Sequence, residues 1–258
     1  MSYNKILVEQ NGLTRRITLN RPEKRNSLDE EMIAELTAAM TSASEDKSTG
    51  TVLLTGAGGN FCSGLFLDYL QKISEYDILE NRADSSRFKS LLLSIYNCKK
   101  PVVAMVDGYA LAGGCGIASA CDFIIASDKA QFGYTEVKIG FIPAIVMVFL
   151  LKRVSEKDAK DLLLTSRFIT GQEAVTMGFA NCVVPQEQLE AKVAEICNGL
   201  NSLPPSSISL TKEMFSNINS MSLESALEYA VDLNAITRMT DACRKGVSNF
   251  LTKSSKQK

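Results

Sequence analysis

Histidine and tryptophan are both absent from this chain of 258 residues. Without histidine, the chain cannot build a Ser-His-Asp triad, a Cys-His pair or a metal site with imidazole ligands. Any proton transfer must therefore use a glutamate, aspartate, lysine, tyrosine or cysteine side chain. This absence is the sharpest exclusion that the composition provides.

Long apolar runs, a strong net charge and paired cysteines are also missing. The longest apolar run, 141–151, contains a proline and is too short to span a bilayer. Residues 1–5 lack the apolar stretch of a signal peptide, and the net charge of −1 does not favour a nucleic-acid or membrane surface. Seven cysteines without CxxC spacing fit reduced thiols better than disulfides or zinc. We therefore expect a cytoplasmic protein that binds neither nucleic acid nor a membrane.

Short apolar segments alternate with helical segments in the first half of the chain. Five segments predict strands: 6–8, 16–19, 51–55, 102–106 and 123–126. The first two are separated by Asn11-Gly12, which is a strong hairpin signal. Because helical segments separate the other strands, we expect an α/β core in which most strands are parallel.

Helix signals divide the same region further. Ser27 and Glu30 form a capping-box pattern, which predicts that a helix begins there. Four apolar residues at four-residue spacing mark one face of that helix: Leu28, Met32, Leu36 and Met40. A long helical stretch is expected over 67–97, with a loosened segment near 74–77.

From Ala144 onward the pattern becomes almost wholly helical. Capping-box patterns begin at Ser155 and Thr170, each before a helix with apolar periodicity. Consecutive prolines near 204 break the chain before two or three amphipathic helices. We therefore divide the chain into a core domain, 1–200, and a C-terminal helical region, 201–258, that covers the substrate site or a neighbouring subunit.

A glycine cluster at 108–116 opens a short apolar helix directly after the predicted strand 102–106. Unpaired backbone N–H groups at a helix start attract anions. A second glycine turn, 60–65, lies upstream, and Glu136 lies downstream among apolar residues, where burial would raise its pKa and suit it to proton transfer. Together these features predict an oxyanion hole served by one acid/base residue. Considered alone, the local sequence favours instead an exposed glutamate paired with Lys138.

Five stretches, in this order and spacing, resemble the crotonase superfamily of enoyl-CoA hydratases and isomerases: 19–28 (LNRPEKRNSL), 61–64 (FCSG), 100–104 (KPVVA), 108–114 (GYALAGG) and 130–136 (AQFGYTE). Further matches over 171–185 extend the resemblance to nearly the whole chain. It implies an α/β fold built as a spiral of ββα units with a C-terminal helical region, assembled as a homotrimer or a dimer of trimers. It also implies an acyl-CoA thioester substrate, no metal, and no cofactor beyond the coenzyme A of the substrate.

The resemblance also implies roles for particular residues. The backbone amides of Leu65 and Gly113 would hold the thioester oxygen of an enolate, and Glu136 would move the proton. Each such amide contributes roughly 3 kcal/mol at comparable sites. The residues implied to contact the substrate or its coenzyme A are Lys24, Arg25, Ser63, Phe66, Gly114, Gly116, Tyr134, Phe250 and Lys253.

Three departures from the family pattern affect the expected chemistry. Gly116 stands where hydratases commonly place a second glutamate, Phe66 stands where an aspartate is usual, and the apolar run 144–149 replaces a glycine-rich one. A site with a single glutamate resembles that of the Δ3,Δ2-enoyl-CoA isomerases, in which one carboxylate moves a proton along the acyl chain. The stretch 132–144, however, is most similar to the methylglutaconyl-CoA and short-chain enoyl-CoA hydratases. Hydration of a 2-enoyl-CoA is thus the first interpretation, isomerisation the second, and a non-catalytic acyl-CoA-binding subunit the third.

Three other interpretations find little support in the sequence. The glycines of 56–59 follow a strand but lack the GxGxxG spacing of a dinucleotide site. Cys115 has no base to activate it as a nucleophile, so we expect it to fill the core. The nucleophilic aspartate of the family's dehalogenases would fall at Ala144.

Overall fold

The computed structural model describes residues 3–255, and the side chains of 3–252. The chain begins with an antiparallel hairpin of β1 (Ile6–Asn11) and β2 (Thr14–Leu19). Gly12, in the turn between them, has a φ of 59°, which is a backbone conformation that glycine adopts without steric cost. The hairpin predicted from Asn11-Gly12 is therefore confirmed.

Two sheets form the centre of the molecule. The remaining strands are β3 (Thr51–Gly56), β4 (Val102–Val106), β5 (Tyr109–Leu111), β6 (Phe123–Ser127), β7 (Gln131–Gly133), β8 (Ile169–Thr170) and β9 (Cys182–Val184). The larger sheet has the order β1-β2-β3-β4-β6-β9, and every pair in it except β1–β2 is parallel. The smaller sheet has the order β5-β7-β8, with β5 and β7 parallel. The predicted α/β core with mainly parallel strands is confirmed.

Eleven α-helices lie within residues 3–255. They are α1 (Glu30–Glu45), α2 (Leu67–Ser74), α3 (Ile78–Tyr96), α4 (Gly113–Ala120), α5 (Ala144–Leu150), α6 (Glu156–Thr165), α7 (Gly171–Thr176), α8 (Leu189–Asn201), α9 (Pro205–Ile218), α10 (Leu223–Met239) and α11 (Asp241–Ser255). The predicted break in the stretch 67–97 is confirmed, since Asp77 caps α3 in a full capping box. The capping box of Thr170 with Glu173 is also present, and Ser155 caps α6.

The prediction that Ser27 caps the first helix is wrong. Asp29 is the cap, and its carboxylate accepts a hydrogen bond from the Met32 N–H at 2.9 Å. The Ser27 hydroxyl is buried and has no hydrogen-bond partner among the described residues. The physical reason is tertiary: the Leu28 N–H donates to the Gly64 carbonyl at 2.7 Å, so residue 28 is held in an extended bridge and the helix begins two residues later.

The large sheet is covered on both faces, as the side-chain alternation of its strands requires. On β3, for example, Val52 and Leu54 belong to the main core beneath α1 and α3, whereas Leu53 packs toward α8. The two strands β8 and β9 fall in the region that was predicted to be almost wholly helical. They are too short to produce a recognisable alternation, and β9 is held by its pairing with β6.

The last three helices, α9 to α11, follow the core after Asn201 and pack on one another. Among their described side chains only that of Leu233 is buried. They carry many exposed large apolar side chains, including those of Phe215, Leu227 and Val231. No helix within residues 3–255 is long and apolar enough to cross a membrane.

Candidate active site

The turn 61–65 is held against the strand that leads into α4. The Cys62 N–H donates to the Tyr109 carbonyl at 2.9 Å, and the Leu111 N–H donates to the Cys62 carbonyl at 2.9 Å. Gly64 follows with a φ of 90°, a backbone conformation that favours glycine. The next residue, Leu65, pairs with Leu28 in a parallel bridge. The Leu28 N–H donates to the Gly64 carbonyl, and the Phe66 N–H donates to the Leu28 carbonyl. The N–H of Leu65 itself therefore faces away from Leu28.

Helix α4 begins directly beside this turn. Ala112 precedes it with a φ of 48° and a ψ of −116°, a strained conformation for a residue with a Cβ, and its N–H donates to the Gly133 carbonyl at 2.7 Å. Gly113 is the first residue of the helix, so its N–H has no partner within the helix and lies at the positive end of the helix dipole. The strain at Ala112 is thus located where it orients the Gly113 amide.

The Leu65 and Gly113 amides form a pair of adjacent donors. A Cβ built on Gly64 would lie only 3.8 Å from the Gly113 nitrogen, so the two turns are in contact. Across residues 3–255, neither N–H donates a hydrogen bond. Two unsatisfied backbone donors that point at one bound oxygen can stabilise its negative charge, so the predicted oxyanion hole at these amides stays a prediction that the free donors allow.

Glu136 is the first residue of a 3₁₀ turn, Glu136–Ile139, that follows β7. Its Oε2 atom is buried and has no hydrogen-bond partner among the described residues. Burial raises the pKa of Glu136, and backbone amides of Glu136 and Thr135 offset part of that rise. The interpretation of Glu136 as an exposed partner of Lys138 is wrong, because the Lys138 ammonium lies over the Phe168 ring instead, 5.3 Å from its centre.

Glu136 follows β7 by three residues, and β7 is held beside the start of α4 because it pairs with β5. Cys115, on α4, has a raised pKa. The main cause of that raised pKa is burial of the thiol, which donates to the Ala110 carbonyl at 2.8 Å. The prediction that Cys115 fills the core is confirmed. The pairing of β5 with β7 therefore brings the segment that carries Glu136 to the end of α4 where the Gly113 amide lies.

Two residues that the sequence analysis did not identify form the wall of this region. The Cζ atom of Phe88 would lie 3.4 Å from a Cβ on Gly113 and 3.5 Å from a Cβ on Gly116. The Cγ1 atom of Val146 would lie 2.5 Å from that same Cβ on Gly116. The apolar spacing of Phe88 with Leu92 and Ile95 on α3 could have indicated an inward face for Phe88. No sequence signal pairs Val146 with Gly116.

The resemblance implies that Gly114 and Gly116 contact the substrate or its coenzyme A. At Gly114 the space that a Cβ would need is taken by the chain itself, because the Cys62 carbonyl oxygen would lie 2.3 Å away. At Gly116 the space is taken by Val146. Both glycines therefore allow close packing of α4 with its neighbours, and their contact with a substrate stays a prediction.

Four of the residues implied to contact the substrate or its coenzyme A lie at the turn 61–65 or against it: Lys24, Arg25, Ser63 and Phe66. The Ser63 N–H donates to the Arg25 carbonyl at 3.1 Å, which joins the two turns. The Lys24 ammonium lies 5.2 Å from the centre of the Phe66 ring, and the Arg25 guanidinium lies 5.5 Å from that of Tyr109. Exposed positive charge next to an aromatic edge suits a nucleotide with phosphate groups.

The other predicted contacts are more distant or differently placed. Tyr134 is buried in the core, where burial raises its pKa, and its hydroxyl has no hydrogen-bond partner among the described residues. Phe250 lies on α11 with 71% of its surface exposed, so most of it is not covered by its own chain. The side chain of Lys253 lies outside the described residues.

Two other features could suggest a binding site: the glycine-rich turn 56–59 and a cavity beneath α9. The Asn26 side chain donates to the carbonyls of Ala57 and Asn60 at 2.8 and 2.7 Å, and it fills the glycine-rich turn 56–59. A cavity of about 910 Å³ lies between the end of α4 and α9, but Leu65, Gly113 and Glu136 do not line it.

The fold thus carries two free backbone amides near the start of α4 and a carboxyl group with a buried oxygen after β7, an arrangement suited to enzymes that stabilise an oxyanion and transfer a proton. Comparison with known proteins identifies the family, because the model of the enoyl-CoA hydratase/isomerase family matches residues 9–257. The chain therefore belongs to the enoyl-CoA hydratase/isomerase family.

Individual relatives agree with this assignment. A Thermus thermophilus protein with the provisional name of enoyl-CoA hydratase is 38% identical to this chain. The match covers 92% of this chain and 94% of the relative's length. The crotonyl-CoA hydratase of Syntrophomonas wolfei is 30% identical over 98% of this chain and 97% of its own length. The crystal structure of an enoyl-CoA hydratase from Mycobacterium smegmatis superposes with a TM-score of 0.93, at 28% identity and 97% coverage of both chains. The crotonase-type spiral fold implied by the sequence is thereby confirmed.

Proposed function

We propose that this protein adds water to the double bond of a 2-enoyl-CoA thioester. The observation that carries the proposal is the pair of free amides, Leu65 and Gly113, on adjoining turns, together with the unpartnered carboxyl oxygen of Glu136 on the segment that follows β7. The names of the relatives support hydration over isomerisation, since those of Syntrophomonas wolfei and Clostridium acetobutylicum are named as crotonyl-CoA and short-chain-enoyl-CoA hydratases.

The amides act on the thioester oxygen. When water attacks the β-carbon, the electrons of the double bond move through the α-carbon to that oxygen, which becomes negatively charged. Two donors in fixed positions stabilise this charge without reorganising during the reaction, and each contributes roughly 3 kcal/mol at comparable sites. The dipole of α4 adds to the effect of the Gly113 amide.

Glu136 transfers the protons. In its ionised form it accepts a proton from the attacking water, and the oxygen of that water bonds to the β-carbon. Glu136 then returns the proton to the α-carbon as the enolate collapses, so that one molecule of water has been added and the carboxylate is regenerated. The raised pKa of Glu136 suits a group that must both accept and donate a proton near neutral pH.

The coenzyme A portion binds at the outer edge of the turn 61–65, where Lys24 and Arg25 supply positive charge beside Phe66. The exposed apolar side chains of α9 to α11 support assembly into a homotrimer or a dimer of trimers. In such an assembly Phe250 and Lys253 would reach the coenzyme A of a neighbouring subunit. We place this activity in the cytoplasm, in the breakdown of fatty acids or amino acids.

Incubation with 2-enoyl-CoA and 3-enoyl-CoA substrates in heavy-oxygen water tests the proposal. Hydration incorporates the label into a 3-hydroxyacyl product. Migration of the double bond without label would establish the isomerase, which the absence of a carboxylate at Gly116 favours. Binding of CoA esters without either reaction would establish the non-catalytic subunit and overturn the proposed mechanism.

A further inference from the structure

Val146 occupies the space that a side chain at position 116 would need. A Cβ on Gly116 would lie 2.5 Å from the Val146 Cγ1 atom and 3.4 Å from its Cβ atom. Val146 is 4% exposed and lies on α5, which packs against α4. Because valine is β-branched, its χ1 angle has little freedom, and the methyl group cannot easily turn aside. The space above Gly116 is therefore closed by a rigid apolar group.

The position of this contact relates it to the substrate. In the proposed reaction the Gly113 amide holds the thioester oxygen and the Glu136 carboxylate exchanges the proton, so the reacting carbons lie between them, beside the start of α4, where β7 is held by β5. Gly116 is three residues beyond Gly113, so it lies on the same face of the helix. The Phe88 ring, which touches the Cβ positions of both glycines, closes the same wall.

We propose that Val146 is a specificity-determining residue that ends the acyl pocket one helical turn beyond the Gly113 amide and restricts the substrate to short acyl chains. This inference rests on the proposed function, since it assumes that the acyl group of a CoA thioester occupies this region. It also gives a physical reason for Gly116: no residue with a side chain fits there while position 146 carries a branched one.

The first experiment compares kcat/KM for 2-butenoyl-CoA and 2-decenoyl-CoA. The unmodified enzyme is expected to prefer the short substrate, and Val146→Ala is expected to raise the ratio of long to short by about tenfold, within the range that small changes in an apolar pocket produce. Val148→Ala, on the same helix but 56% exposed, is the matched control and is expected to leave the ratio unchanged. An unchanged ratio in Val146→Ala, or a shift of equal size in Val148→Ala, overturns the proposal.

A second experiment measures the affinity for acyl-CoA esters that the enzyme cannot hydrate. Calorimetry measures the binding of butanoyl-CoA and decanoyl-CoA, which lack the double bond. Val146→Ala is expected to bind decanoyl-CoA about tenfold more tightly than the unmodified protein does, with no change for butanoyl-CoA. If the unmodified protein hydrates neither enoyl ester, the proposed function fails, and this binding still decides the role of Val146. Equal gains for both esters, or no gain, would reject that role.

The tightness of the contact is tested by a double-mutant cycle on thermal stability and activity. Gly116→Ala is expected to lower both in the unmodified background, because its Cβ overlaps the Val146 methyl group. In the Val146→Ala background, the same substitution is expected to have little effect, since the overlapping group is gone. If Gly116→Ala is tolerated equally in both backgrounds, Val146 does not close the wall as proposed.

Discussion

Replacing Glu136 with glutamine changes activity and stability in opposite directions. Glutamine has nearly the same shape but cannot ionise, so Glu136→Gln removes the proposed acid/base group with little change in packing. A positioned general acid or base accelerates reactions by about 10²–10⁴-fold, and we expect kcat to fall by a factor in that range. The decay of the absorbance of the conjugated thioester measures this directly.

The stability effect follows from the environment of the carboxylate. The Oε2 atom is buried and lacks a hydrogen-bond partner among the described residues. An unsatisfied buried polar group costs about 1–3 kcal/mol, and a charged one costs more. Glutamine keeps a polar atom in the same place but removes the charge, so the gain comes from the loss of that extra cost. Since the group is only partly buried, we expect a gain at the lower end, about 1 kcal/mol, for the glutamine variant at pH 8. Thermal unfolding at one fixed protein concentration measures the difference as a shift in Tm.

The pH dependence gives the sign of this effect. Burial raises the pKa of Glu136 in the folded protein above its value in the unfolded chain. Below the unfolded value of about 4.3 the group is neutral in both states, and the native protein has no penalty. As the pH rises through the folded pKa, the carboxylate of the native protein ionises in its buried setting, and the free energy of unfolding falls. The advantage of Glu136→Gln should therefore be small near pH 4 and reach its full size above the folded pKa.

Glu187→Gln is the control, because Glu187 is exposed and the same substitution there leaves the site untouched. It should change neither kcat nor the pH dependence of Tm. The hydration rate of the unmodified enzyme should fall on acidification at a higher pH than an ordinary glutamate would give, because the ionised form accepts the proton from water. Full turnover by Glu136→Gln would refute the proposed chemistry, and a stability difference independent of pH would refute the buried-carboxylate argument.

Three further substitutions test other parts of the structure. Gly64→Ala is expected to lower kcat by about 10²–10³-fold by shifting the turn that carries an oxyanion donor, whereas Gly59→Ala, which has positive φ but nothing within 4 Å, should retain activity. Asp29→Ala should lower the free energy of unfolding by about 1 kcal/mol through loss of the cap of α1, and Ser27→Ala should change it little. Lys24→Ala should raise KM for CoA thioesters at low salt, with a smaller effect at high salt.

Each of these comparisons has an outcome that would contradict it. Equal loss of kcat in Gly64→Ala and Gly59→Ala would attribute the effect to backbone strain instead of the displaced donor. Asp29→Asn should keep most of the stability in denaturant unfolding, because asparagine also caps helices well; a loss as large as that of Asp29→Ala would point to the ion pair with Arg21. A KM of Lys24→Ala that rises equally at all salt concentrations would exclude an electrostatic contact.

Much of the fold was predictable because its signals are local. The Asn11-Gly12 hairpin, the break between α2 and α3 and the Thr170 capping box each depend on residues within a few positions of one another. The strand-helix alternation likewise reflects side-chain periodicity within one segment. The Ser27 cap failed because its outcome depended on the bridge between Leu28 and Leu65, whose partners are far apart in the chain.

The sequence by itself determined the class of chemistry. Lack of histidine confined proton transfer to a few residue types, and the glycine turns with Glu136 indicated an oxyanion hole with one acid/base group. Only the tertiary structure decided how the site is enclosed, because Phe88 and Val146 reach α4 from helices that are distant in sequence. It also showed the setting of Gly116: the missing carboxylate leaves a space that a rigid methyl group fills, and such complementarity arises only when the helices pack.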